Sequence, residues 1–304
     1  MGRYTNETCL SRTFFKFKDY ISYIGINFIF ILSKIIPMCI LSNFCGVFLA
    51  IFGIFLRHSK IALNNFEKVF PEMSLIKRYK LLTECLFLLG KFGGEFFYVY
   101  SMNKKKLFKL VSMKDEKSEN ILKEIKNNTC GSLIFSGHFA NWELALRYLG
   151  ESGIKLNVVY RESNNKLIEE KFIKNTRKNC GIKMIAKGSS SAIGIFKALK
   201  NGENVLILTD QRYNNGIKSQ LLGFDAYTSD SIPVIAKRLN CPVYSMVAIR
   251  DEFTSNIKIS ADKFECLKEE SNEDIVKRMN EVIGEWIKNN PNQWLFLHNR
   301  WKIR

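Results

Sequence analysis

Histidine is scarce in this sequence, with three residues in 304, and His58, His138 and His298 lie far apart. Zinc commonly takes three or four ligands spaced two to five residues apart. No second His and no close Cys pair supports His138, so a metal centre is not expected. The eight cysteines contain no Cys-x-x-Cys pair, and Cys39, Cys45 and Cys85 stand in apolar surroundings. They read as small buried hydrophobes in a reducing compartment and exclude a disulfide framework. Low-complexity tracts and internal repeats are absent. Acidic residues are also short, 29 Asp and Glu against 46 Lys and Arg, for a formal charge of +17.

That charge is unevenly placed. Five basic and two acidic residues leave only +3 on residues 1–56 and the remaining +14 on the body. A field of this sign attracts anionic lipid headgroups, an acidic carrier protein or nucleic acid. The basic residues are dispersed and form no nucleic-acid motif, so nucleic acid is not the expected partner. A non-catalytic basic protein binding an anionic membrane or nucleic acid is the alternative of another class.

The N-terminal segment is apolar. Between Tyr20 and Leu56 the only charge is Lys34, and Ile35–Leu56 is a 22-residue uncharged run. That length can cross a bilayer as a helix, while Pro37, Asn43 and Gly46 make it imperfect and keep a helix lying in the interface or dipping partway as a competitor. The run starts too late and is too long for a signal peptide. Flanking basic residues are nearly balanced and leave the topology open. Residues 1–57 are therefore expected to be a membrane anchor region, with one catalytic domain over 58–304.

Within that domain, residues 58–102 read as helical with a break at Pro71 and a new start capped by Ser74. The glycines at 90, 93 and 94 are expected to weaken the second helix. From Ser132 onward strands and helices alternate. Strands are expected at Ser132–Ser136, Lys155–Tyr160, Asn204–Thr209 and Pro242–Ile249, with a weaker one at Ile182–Ile185. Helices are expected at Ser118–Lys126, Trp142–Leu149, Lys166–Asn179, Ser191–Lys200 and Ser231–Leu239. A last one runs over Glu273–Lys288, with a core stripe of Ile275, Met279, Val282, Ile283 and Trp286. This alternation predicts an α/β domain with a largely parallel sheet.

Three of these strands run into polar clusters: Ser136–Glu143 after Ser132–Ser136, Arg161 after Lys155–Tyr160, and Thr209–Arg212 after Asn204–Thr209. Ligands in such sheets bind beyond the carboxyl ends of parallel strands. If the strands are neighbours, His138, Glu143, Arg161, Asp210 and Gln211 face one crevice. Gly137 permits a sharp turn, and Asn141 can cap a helix that carries Glu143 in its first turn. The expectation is that Glu143 folds back to hold one imidazole nitrogen, leaving the other to take a proton from a hydroxyl. No Gly-x-Ser-x-Gly elbow is present and no cysteine neighbours a histidine, which favours direct attack by an acceptor over an acyl-enzyme. Arg161 suits a phosphate, a carboxylate or an oxyanion, or else a surface ion pair. Asp210 and Gln211 either orient Arg161, bind the acceptor or cap the turn. His298 is expected to pack between aromatics.

Taken together, Gly137–Glu143, Val158–Arg161, Leu206–Gln211 with Gly223, Phe224 and Thr228, Pro291–Lys302, and Asn64 through Phe70, Pro71 and Glu72 resemble, in order, the blocks of the bacterial lipid A biosynthesis acyltransferases, the late lauroyl/myristoyl enzymes. The resemblance implies a glycerolipid acyltransferase-type α/β sandwich behind a membrane-associated helical region. It implies transfer of an acyl chain from acyl carrier protein to a hydroxyl of the Kdo-bearing lipid A precursor. It places the catalytic domain on the cytoplasmic side of the bacterial inner membrane. It makes His138 the base and Glu143 its partner, sets Phe139, Asn141, Arg161, Asp210 and Gln211 around the substrate, and requires no cofactor. After Gln211 the segment Arg212–Gln220 lacks the family's usual apolar, aromatic-rich run, so donor or acceptor preference can differ there. A glycerophospholipid or a glycosylated phosphoinositide is the alternative acceptor.

Overall fold

The computed structural model describes residues 9–163, 165–170, 180–188 and 191–302, and the side chains from residue 19 onward within these. The 22-residue apolar run does not form one helix. Pro37 cannot continue the ladder, so the chain breaks between α1 (Cys9–Ile35) and α2 (Met38–Phe52), the latter extended by a 3-10 turn at Gly53–Phe55. Then come α3 (Arg57–Val69) and the long α4 (Leu75–Val99), whose first turn is capped by the Ser74 hydroxyl accepting from Lys77 N.

The glycines of α4 do not weaken it. Gly90 and Gly94 let α2 lie almost against its backbone, whereas a Cβ on Gly93 would meet nothing within 4 Å. A Cβ on Gly90 would stand 2.3 Å from the Cys45 carbonyl oxygen, and one on Gly94 would stand 2.8 Å from Ser42 Cα. Gly46 meets α4 from the other side, against Phe87 and Lys91. Close backbone approach offsets the low helix propensity of glycine. Met38–Phe55 is long and apolar enough to cross a membrane, with mean hydropathy 2.2. Its inner side is nevertheless occupied, since Met38, Leu41, Ser42, Gly46 and Ala50 are buried. Ile40, Phe44, Val47, Phe48, Ile51, Phe52 and Phe55 point outward, as do Tyr20, Ile21, Ile24, Phe28, Ile31 and Ile35 of α1.

Beyond α4 the chain forms α5 (Lys104–Leu110), β1 (Val111–Met113), α6 (Glu116–Asn127), β2 (Leu133–Ser136), α7 (Trp142–Glu151), β3 (Leu156–Tyr160) and a helical turn at Lys166–Ile168. The rest of the helix expected over Lys166–Asn179 lies largely outside the described residues. Next are β4 (Ile182–Ala186), α8 (Ser191–Lys200), β5 (Asn204–Leu208), the hairpin β6 (Ile217–Leu221) and β7 (Phe224–Thr228), α9 (Ser231–Leu239), β8 (Val243–Arg250), β9 (Ile257–Phe264) and α10 (Asn272–Asn289). Leu222 and Gly223 join the hairpin strands with φ of 56° and 81°, the mirror-image turn that suits a two-residue hairpin.

Seven strands form one sheet in the order β1-β9-β8-β2-β5-β3-β4. All neighbouring pairs are parallel except β8 and β9. Alternate residues of the central strands feed opposite faces. Leu133, Phe135, Val205 and Ile207 pack with α3, the first half of α4, α8, α9 and α10. Ile134, Leu206, Val158 and Tyr244 pack with α2, α5, α6 and α7. The result is a helix–sheet–helix sandwich, the largely parallel α/β architecture expected. The stripe of α10 is core: Ile275, Met279 and Ile283 are fully buried, and Val282 and Trp286 pack against them.

Candidate active site

The parallel strands β2, β5, β3 and β4 are neighbours and end at one edge of the sheet, so the residues after them meet. Ser136 pairs with Leu208 across β2 and β5. Two residues further on each chain come His138 and Asp210. The His138 Nδ1 to Asp210 Oδ1 distance is 2.8 Å, and the His138 backbone N–H donates to Asp210 Oδ2 at 2.9 Å. Trp294, from the C-terminal segment, donates its indole N–H to the same Oδ2 at 2.8 Å.

Burial pushes the Asp210 carboxyl up, but attraction to His138 and these three hydrogen bonds outweigh it and hold the pKa below the ordinary value. An ionised carboxylate only accepts, so Nδ1 carries a proton and Nε2 is the nitrogen turned to the cleft. Nε2 lies 3.4 Å from the Gln211 amide nitrogen, a long contact that an incoming hydroxyl can displace. Trp142 stands edge-on to the ring with centroids 4.9 Å apart. The histidine side chain is 18% exposed while Asp210 is 1% exposed, so the pair has a buried end and an open end.

The carboxylate that holds the imidazole is therefore Asp210, where the sequence pointed to Glu143. Glu143 sits in the first turn of α7 as expected, behind the Asn141 cap, but its Oε2 accepts from the Tyr100 hydroxyl. It borders the same cleft as His138. Two other expectations also change. Phe139 is fully buried, its ring packed against Trp286, and its backbone bridges Trp294, so it belongs to the core and does not line a substrate pocket. Asn141 is fully buried, with Oδ1 capping Leu144 N and Nδ2 donating to Glu95, so it supports the motif from behind.

The open side of His138 faces a cleft of about 530 Å³ bordered by Glu143, Arg161, Gln211 and, just after β4, Lys187. Arg161 is exposed at the end of β3. Lys187 was not singled out in the sequence; only the placement of β4 beside β3 brings it in. Burial lowers its pKa and the Arg161 charge lowers it further, while its ammonium lies 4.7 Å from the Tyr213 ring centroid. Two cations side by side at the cleft form a ready site for a phosphate or carboxylate. The backbone N–H groups of His138, Phe139 and Ala140 are already committed, to Asp210, Gly137 O and Gln293 O. Arg161, Lys187 and Gln211 are side-chain donors on the cleft.

On the other side of His138 a narrow crevice is lined by Cys85, Leu88, Leu89, Leu295 and Leu297. Burial raises the Cys85 pKa far above its ordinary value, so this neighbouring thiol is no thiolate nucleophile. His298 accepts from Arg212 N at 3.2 Å, and its carbonyl takes Asn65 Nδ2 at 3.0 Å, which ties α3 to the C-terminal segment.

Against known proteins, the model of the bacterial lipid A biosynthesis acyltransferase family matches residues 9–303. The lipid A biosynthesis palmitoleoyltransferase of Escherichia coli K12 is 26% identical over 256 residues, covering 82% of this chain and 80% of that protein. A lipid A biosynthesis acyltransferase of Shigella flexneri matches to the same extent. The E. coli K12 lipid A biosynthesis lauroyltransferase is 23% identical over 291 residues, covering 94% and 92%. With the family model spanning almost its whole length, the chain belongs to the bacterial lipid A biosynthesis acyltransferases.

Proposed function

We propose that this protein transfers a fatty acyl chain from acyl carrier protein to a hydroxyl of the Kdo-bearing lipid A precursor, at the cytoplasmic face of the bacterial inner membrane. The single observation that carries the chemistry is the orientation of His138: Nδ1 is locked on a buried, ionised Asp210, and Nε2 opens on a basic cleft. In this reading the acceptor hydroxyl replaces the Gln211 contact within about 3 Å of Nε2. Its oxygen attacks the thioester carbonyl carbon as its proton passes to Nε2. Asp210 stabilises the imidazolium without taking the proton. The tetrahedral oxyanion is met by Arg161 or the Gln211 amide. Collapse breaks the carbon–sulfur bond, and the departing thiolate recovers the proton from His138.

Arg161 and Lys187 suit a phosphorylated acceptor, and the net charge of +17 suits both that lipid and an acidic carrier protein. The outward aromatic and aliphatic faces of α1 and α2 support attachment to the membrane that holds the acceptor, with α2 lying in the interface while its inner face stays on α4.

The test is an acyl-transfer assay with acyl carrier protein thioesters, comparing the lipid A precursor with glycerophospholipid and phosphoinositide acceptors. His138→Ala should fold normally and lose turnover by about 10³-fold or more. Wild-type-like turnover in that variant refutes the mechanism, and turnover only with a glycerolipid refutes the acceptor.

A further inference from the structure

The loop that carries His138 adopts a backbone that its own residues do not favour. Ala140 sits at φ 45°, in the left-handed region. Its N–H donates to Gln293 O at 2.9 Å, and Leu295 N donates to His138 O at 3.2 Å. The next residue, Asn141, gives Nδ2 to Glu95 Oε2 at 2.8 Å. Glu95 lies buried in α4 and receives Arg250 from the end of β8, Nη1 to Oε1 at 2.8 Å and Nη2 to Oε2 at 2.6 Å. The main chain of Arg250 returns to the start: its N–H donates to Gln293 Oε1 at 2.7 Å, and its carbonyl accepts Gln293 Nε2 at 3.0 Å. The path Glu95–Asn141–Ala140–Gln293–Arg250–Glu95 is a closed circuit.

We propose that Glu95, Arg250 and Gln293 are positioning residues: through this circuit they fix the left-handed turn at Ala140 and so aim the His138 ring at Asp210 and the cleft. The proposal rests on the reading of His138 as the base. Two features argue for positioning beyond mere cohesion. Capping α7 uses only Oδ1 of Asn141, a task that Ser or Asp performs as well, whereas its Nδ2 is spent on Glu95. A buried ion pair is also a weak source of net stability compared with apolar residues of the same volume, so stability alone does not call for it. Ser42 of α2 and Ser255 complete the Glu95 shell at 3.1 and 2.7 Å, so the outward-facing apolar helix is joined to the same circuit.

The experiment replaces the pair by apolar residues, Glu95→Met with Arg250→Met, and compares the variant with Asn141→Ser, which keeps the cap and drops the Nδ2 donor. Each is followed by thermal unfolding, by kcat and KM, and by the imidazole ¹⁵N and downfield Nδ1 proton signals of His138, assigned by their loss in His138→Gln. The double variant should unfold within a few degrees of the wild type, lose about 10²-fold in kcat with KM changed less than about twofold, and lose the downfield proton. Asn141→Ser should move the same readouts by about tenfold in kcat. Unchanged kcat and an unchanged His138 signal in either folded variant overturn the proposal. If the double variant does not fold, Asn141→Ser decides. If the wild type turns over no lipid acceptor, the acyl-transfer reading fails, while the histidine signals still decide the positioning role.

Discussion

Two carboxylates, Glu95 and Asp210, are buried, and they serve opposite ends. Glu95 accepts from Arg250, Ser42, Asn141 and Ser255, all turned inward. Asp210 accepts from Trp294 and twice from His138, and that histidine has a second nitrogen facing the cleft. Burial raises both carboxyls, and their partners more than offset it, so both are held below the ordinary carboxylate range. The shift in pKa therefore does not distinguish support from chemistry. What distinguishes them is whether the partner of the charge can still exchange a proton with something outside. Arg250 cannot give its proton up, and His138 can.

The comparison breaks hardest at Asp210. Asp210→Asn removes the charge that fixes the Nδ1–H tautomer, and turnover should fall by about 10⁴-fold, as for a triad aspartate, measured under saturating donor and acceptor. A loss below about tenfold would move the orienting role to another group, Glu143 first. Glu95→Gln strikes the other carboxylate and leaves the Arg250 guanidinium buried without its counter-charge. The expected cost is about 3–5 kcal/mol of stability, read by denaturant unfolding. A cost under about 1 kcal/mol would mean that Arg250 finds water or moves. Glu143→Gln should be milder, about tenfold in kcat with the His138 ring signals unchanged, because its carboxylate is engaged by Tyr100 and the ring by Asp210.

That third prediction turns on what the sequence could and could not disclose. Strands β2, β3, β5 and β8, and helices α8, α9 and α10, are legible because their apolar patterns are strong and their caps are local, as at Ser271 and Asn141. The pairing of His138 with Glu143 is also a local inference, five residues along one chain. The observed pairing with Asp210 is 72 residues away and depends on β2 lying beside β5 in register, which no local pattern encodes. Lys187 enters the cleft for the same reason. Strand β9 was missed because its inward residues include the small Ala261 between outward Lys258, Ser260 and Asp262. The β6–β7 hairpin carries Lys218, Ser219, Gln220 and Asp225 in place of an apolar run. Phe139 and Asn141 share a motif with His138, yet one packs against Trp286 and the other faces Glu95; adjacency in sequence does not give a shared direction.

The smallest expected effect sharpens the contrast through pH. Asp210 and Glu95 are depressed, so their contribution to stability is complete above the unfolded values of about 4 and is lost as pH falls through the lower folded values. His298 differs. Burial lowers its pKa, nearby Arg300 adds to that, and Asp210 only partly opposes it, so the folded protein holds it neutral with Nε2 accepting from Arg212 N. The unfolded chain takes up that proton near pH 6.5, and in the interval below it binds more protons than the folded state. Stability should therefore be full above about pH 6.5 and decline gently as pH falls through the folded pKa of His298, well before the carboxylates respond. His298→Gln retains a side-chain acceptor for Arg212 N and cannot titrate, so it should flatten this first limb and leave the acid limb below about pH 4 in place. A first limb that persists in His298→Gln would assign it to another group.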